Sequence, residues 1–150
     1  MPIGLRYVFC VSCVPLCIGA LIYLLWRPDD ILVFDLLRGV GLYGNDGALF
    51  RFRHTLSPFR SYFPLWAVYS LPLGMWVYAS TGFFCHLLRF EGAWVCIGAV
   101  TLPASLVVGV EVLQGLSLFR GTFDWVDIFV CMFGALFGLL VSVSNRSYDV

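Results

Sequence analysis

The residues best equipped for chemistry lie together in EVLQGLSLFRGTFDWVD, residues 111–127. Glu111 and Gln114 are three apart, so a helix would carry both on one face. Arg120 and Gly121 occupy a short connection, and Asp124 and Asp127 are again three apart at the start of the next apolar segment. A tight hairpin gathers Glu111, Gln114, Arg120, Asp124 and Asp127 at one end of two helices. Ionisable groups inside apolar segments are costly and usually face the interior with a partner. Glu111 and Asp127 are the deepest of the five, and burial of both calls for a shared proton or cation between them. Such a pair could hold a cationic group, a metal or a sugar hydroxyl, or act as general acid and base. A plainer role exists for the aspartates. Asp124 can cap the following helix and Asp127 can complement its dipole, with Arg120 paired to either. Capping by its own helix gives no reason for an acid at position 111, where the helix dipole disfavours one.

A second group is basic and aromatic: RFRHTLSPFR, residues 51–60. Arg51, Arg53 and His54 suit an anionic head group. All nine cations are arginine, with no lysine anywhere in the chain. Guanidinium binds phosphate and carboxylate in a fork that lysine cannot match. Other patterns carry less. Cys10, Cys13 and Cys17 fall on one helical stripe, but inside an uncharged run with no histidine or acid beside them, so packing is the expected role. The positions of the six cysteines do not form a disulfide framework of exposed loops. Gly39, Gly41 and Gly44 spell G-x-G-x-x-G without the strand and helix that a dinucleotide fold needs. No metal ligand set and no cofactor motif are read.

The elements that position these residues follow from composition. Hydrophobic residues make up 61% of the 150 and charged ones 12%, against about 45–50% and about 25% in soluble domains. The formal net charge is +0, which argues against nucleic acid as a partner. Four long runs lack Asp, Glu, Lys and Arg: 7–26, 61–88, 92–110 and 128–145. A helix needs about 20 apolar residues to cross a bilayer. The expected architecture is all-α: a polytopic membrane protein with four transmembrane helices near 7–26, 63–85, 93–114 and 124–143, forming a single domain over 1–150. The first run reads as an uncleaved span, being too long for a signal-peptide core. Pro15, Pro72 and Pro103 predict kinks. Gly134 and Gly138 allow close helix approach, read as packing within the monomer. The long connection after the first span opens with Asp29-Asp30, an expected helix cap. A short interfacial helix is expected over 31–38, then a turn at Asn45-Asp46-Gly47.

With four crossings, Arg27, Arg38, Arg51, Arg53, Arg60 and Arg120 share one side, opposite Arg6, Arg89 and Arg146. The positive-inside rule puts the larger group in the cytoplasm.

The 111–127 segment resembles the VanZ-like membrane proteins. Their hallmark is an acid and a Gln on one helix, a Gly/Arg turn, then paired Asp residues opening a Gly-rich last span. The matching positions are Glu111, Gln114, Arg120-Gly121, Asp124 and Asp127, followed by Gly134 and Gly138. A softer match is Pro58-Phe59 before a span and Pro72-Leu73-Gly74 inside it. The turn departs from the family in having Phe119 before Arg120. The resemblance implies a multi-pass protein of the bacterial inner membrane and envelope, whose namesake is associated with reduced susceptibility to the glycopeptide teicoplanin. The expected function is binding of a lipid-linked or amphiphilic ligand by Glu111, Gln114, Arg120, Asp124, Asp127, Arg51, Arg53 and His54. Expected partners are membrane lipid, a lipid-linked envelope precursor, or another membrane protein. An acid/base enzyme acting on lipid and a structural subunit packing through Gly134 and Gly138 are the alternatives.

Overall fold

The computed structural model describes residues 9–28, 32–44, 47–119 and 121–146. Arg6, Arg120, the Asp29-Asp30 cap, Asn45-Asp46 and the start of the first span at 7–8 lie outside them. The described residues form seven α-helices and no strand. They are α1 (Val14–Trp26), α2 (Leu32–Gly39), α3 (Ala48–Leu56), α4 (Leu65–Tyr69), α5 (Leu71–Leu87), α6 (Ala93–Gly115) and α7 (Trp125–Arg146). A π-helical turn, Phe9–Cys13, leads into α1, and a 3-10 turn, Ser57–Tyr62, follows α3.

The prolines shape these helices in three ways. Pro15 stands in the first turn of α1, directly after the π turn. A widened turn there makes room for a ring that has no N–H to give. Pro72 divides the expected second span. Its missing N–H leaves the Val68 carbonyl without an intrahelical donor, and the chain turns at Ser70 between α4 and α5. The neighbouring bonds survive: Ser70 N–H donates to the Trp66 carbonyl at 2.8 Å, and Gly74 N–H to the Ser70 carbonyl at 3.1 Å. The result is a kink. Pro103 sits inside α6, which continues unbroken past it.

Helix α5 is the centre of the assembly, packed against α1, α6 and α7. Glycines allow that closeness. A methyl group on Gly138 would lie 2.8 Å from the Tyr78 carbonyl oxygen, and one on Gly134 would overlap the Gly74 carbonyl. The Gly134/Gly138 face therefore packs within the monomer. These contacts also set direction. Gly74 meets Gly134 and Tyr78 meets Gly138, so α5 and α7 run parallel. Gly19 meets Pro72 and Trp76 while Gly82 meets Val11, so α1 runs antiparallel to α5. The end of α1, the start of α5 and the α6–α7 connection thus share one end of the bundle.

Among the described residues two helices are long and apolar enough to cross a membrane, Ala93–Gly115 and Trp125–Ser144. None of the most apolar stretch of α6 is buried, and 17% of that of α7 is. Trp94 and Phe90 are each 86% exposed. Such a surface is far more apolar than a helix facing water tolerates. The apolar helix Cys10–Trp26 and helix α5 are shorter.

Residues 51–60 fill the second half of α3 and much of the 3-10 turn. Two expectations need correction. The second expected span is two helices. The cysteine stripe is not packed: Cys10, Cys13 and Cys17 are exposed, whereas Cys85 and Cys131 are buried.

Candidate functional site

The hairpin brings Glu111, Asp124 and Asp127 together, with Arg120 outside the described residues, but the acids spend themselves on the backbone. Glu111 is 4% exposed, at the end of an otherwise outward-facing helix. Its Oε2 accepts the Asp124 backbone N–H at 3.0 Å. Asp124 Oδ1 accepts the Val126 N–H at 2.8 Å. The first N–H groups of a helix have no partner within it, so Glu111 and Asp124 together close the start of α7. The acid without an excuse in its own helix is thus the cap of the next one.

Asp127 lies in the first turn of α7, its carboxyl close to that of Glu111. Its Oδ1 is buried and has no hydrogen-bond partner. Gln114 reaches over Gly121, where an added methyl would lie 2.5 Å from Gln114 Nε2. Gly121 also holds φ +139°, a conformation that side chains other than hydrogen rarely adopt. The Gln and the Gly of the hairpin motif therefore belong to one contact. Ser117 N–H donates to the Gln114 carbonyl at 2.9 Å, and Leu118 N–H to the Leu113 carbonyl at 2.9 Å, closing α6. Among the described residues no set of three or more His, Cys, Asp and Glu side chains is placed to hold a metal ion.

The basic group forms a second feature at the same end. A cleft of about 350 Å³ is lined by Arg27, Arg53, His54, Ser57 and Arg60. Trp26, Tyr43 and Phe50 supply its apolar wall. Two of the arginines converge on one tyrosine. Arg27 Nη2 donates to the Tyr69 carbonyl at 2.9 Å, and Arg60 Nη2 to the Tyr69 hydroxyl at 2.9 Å. The Arg27 guanidinium lies 4.9 Å from the Tyr69 ring centroid and 5.2 Å from that of Tyr23. Its Nε is buried without a hydrogen-bond partner.

Arg53 has a different task. Nη1 donates to the Leu24 carbonyl and Nη2 to the Arg27 carbonyl, both at 2.7 Å. The last carbonyls of a helix are the negative end of its dipole, and Arg53 caps them for α1. Its guanidinium also lies 4.4 Å from the Phe34 ring centroid, tying α2 into the same corner. None of Arg27, Arg53 and Arg60 meets a carboxylate among the described residues.

The expected site residues therefore separate. Glu111, Gln114, Asp124 and Asp127 meet in the hairpin. Arg53 and His54 line the cleft, with Arg53 committed to capping. Arg51 is on the exposed side of α3 and does not line the cleft. Helix α3 packs on α1 and the 3-10 turn, while α6 and α7 pack on α5 and each other. Arg27 and Arg60, absent from the expected set, are the two that converge. Their signal in the sequence was weak, since Tyr69 is far from Arg27 along the chain. Comparison of the chain with protein-family models, with curated proteins and with solved structures finds no match in any of the three.

Proposed function

We propose that this chain is a multi-pass protein of the bacterial inner membrane, allied to the VanZ-like proteins, that binds the anionic head group of an amphiphilic molecule. One observation carries the reading. Three guanidinium groups, none with a carboxylate partner among the described residues, line one aromatic-walled cleft at the end of an apolar helix. Guanidinium suits phosphate or carboxylate capture, and Arg27 and Arg60 keep donors for it while Arg53 adds charge to the wall.

Four crossings fit the fold. Cys10–Trp26 makes the first, α4 and α5 together the second across their kink, and α6 and α7 the remaining two. In that arrangement Trp26, Tyr62 and Trp66 fall near the head groups, where amphipathic rings favour the interface. An apolar tail would lie beside the exposed helices while the polar head enters the cleft. The unpartnered Oδ1 of Asp127 beside Glu111 favours a second reading, an acid/base enzyme acting on a lipid. It ranks lower, because Glu111 and Asp124 already cap α7.

The test is lipid retention by the purified protein in native mass spectrometry. Phosphatidylglycerol should stay bound where phosphatidylcholine does not, and Arg60→Gln should lose that difference. Equal retention of both lipids by the unaltered protein sinks the proposal. Teicoplanin susceptibility of cells carrying the same variant gives a cellular readout of the family link.

A further inference from the structure

We infer that Arg27 and Arg60, which line one cleft and are each anchored to Tyr69, form a recognition site for a doubly charged phosphate group. This is the end of a phosphomonoester or a diphosphate, as distinct from a singly charged phosphodiester. The inference rests on the anionic-head-group reading and narrows it.

The argument is one of charge and of unused donors. Guanidinium stays protonated in any protein environment. Two such groups held by the carbonyl and the hydroxyl of one residue repel each other, and no carboxylate among the described residues offsets them. Tyr69 provides hydrogen bonds and a ring face, but no charge. Arg53, its donors turned to the α1 carbonyls, adds a third positive charge to the wall. His54 lines the same wall. A phosphodiester brings one negative charge to this group. A phosphomonoester brings about 1.5 to 2 at pH 7, with three acceptor oxygens.

Each arginine keeps donors that Tyr69 does not use. Arg27 uses Nη2 on Tyr69, and its Nε is buried without an acceptor. Arg60 uses Nη2 on the Tyr69 hydroxyl and is exposed at the mouth of the cleft. Tyr69 is a positioning residue: its carbonyl anchors Arg27 and its hydroxyl anchors Arg60, and it contributes no charge to the ligand.

The experiment compares nanodiscs containing the full chain and doped with phosphatidic acid, a phosphomonoester, or phosphatidylglycerol, a phosphodiester. Matched discs of phosphatidylcholine set the baseline, and soluble inorganic pyrophosphate is the competitor. Phosphatidic acid is expected to bind about tenfold tighter than phosphatidylglycerol. Arg60→Gln is expected to abolish the preference. Tyr69→Phe keeps the ring and the carbonyl and loses only the hydroxyl, and is expected to reduce the preference. Equal binding of the two anionic lipids, both above baseline, overturns this inference and leaves the broader reading standing. Binding of neither above baseline overturns both. Pyrophosphate that displaces phosphatidic acid supports the phosphate chemistry and identifies a free phosphate as an accepted source. Without displacement, binding of phosphatidic acid supports the lipid as the source.

Discussion

Glu111 holds Asp124: the carboxylate near the end of α6 accepts the backbone N–H that opens α7, at 3.0 Å. A residue that looked like a buried catalytic acid is thereby a clasp between two helices. The substitution series at this position separates the two descriptions. Glu111→Gln keeps an oxygen for the Asp124 N–H and gains an amide donor that can reach Asp127, so stability should change little. Glu111→Ala leaves that N–H without its acceptor and should cost about 1–3 kcal/mol. Thermal unfolding in detergent, followed by circular dichroism, gives the order. Equal losses for the two variants would mean that the charge, and not the hydrogen bond, matters.

Arg53 predicts a sharper result. Its two 2.7 Å bonds close the end of α1, and loss of bonds from a charged donor costs about 1.5–3 kcal/mol. Arg53→Gln should lower the unfolding temperature. Arg53→Lys should fail to restore it, because an ammonium group cannot span two carbonyls in a fork. Rescue by lysine would show that position 53 needs only a positive charge.

Glycines on two faces of the bundle should behave oppositely. A methyl at Gly134 overlaps the Gly74 carbonyl, with the Tyr78 nitrogen at 3.3 Å. Gly134→Ala must push α7 from α5, an overpacking cost of about 1–3 kcal/mol. Gly98 has nothing within 4 Å of its added methyl. Gly98→Ala should leave stability unchanged or raise it by up to about 1 kcal/mol. The same unfolding assay reads both.

Gly121 combines a close approach with an unusual backbone. Gly121→Ala meets Gln114 at 2.5 Å and must hold φ +139°, for a cost of about 1–3 kcal/mol. Removing the obstacle in a Gln114→Ala background should recover part of that loss and leave the backbone share. A double-mutant cycle with no coupling would show that the two residues do not touch.

Much of the fold was readable because apolar helices announce their length. The expected 93–114 and 124–143 became Ala93–Gly115 and Trp125–Arg146, and 31–38 became Leu32–Gly39. Helix α3 was not readable. Its arginines alternate with aromatics, which masks the helical period, and distant groups hold it: Trp26 Nε1 donates to the Leu56 carbonyl at 3.2 Å, and Arg53 reaches α1. The hairpin cluster followed from spacing alone, since a short loop must bring Glu111 to Asp124. The pairing of Arg27 with Arg60 did not, because it depends on where the kink at Ser70 sets Tyr69. The cysteine stripe misled for a related reason. Small apolar side chains suit an interior and a lipid-facing surface equally, and composition does not tell one from the other.

The parallel course of α5 and α7, with α1 opposed, makes the molecule vectorial. In the four-crossing arrangement proposed above, the Tyr69 arginines and the Glu111 clasp would address the same leaflet. Phosphates displayed on the opposite monolayer would have to flip before the cleft could reach them. Reconstituted vesicles with asymmetric lipid would then respond on one side alone.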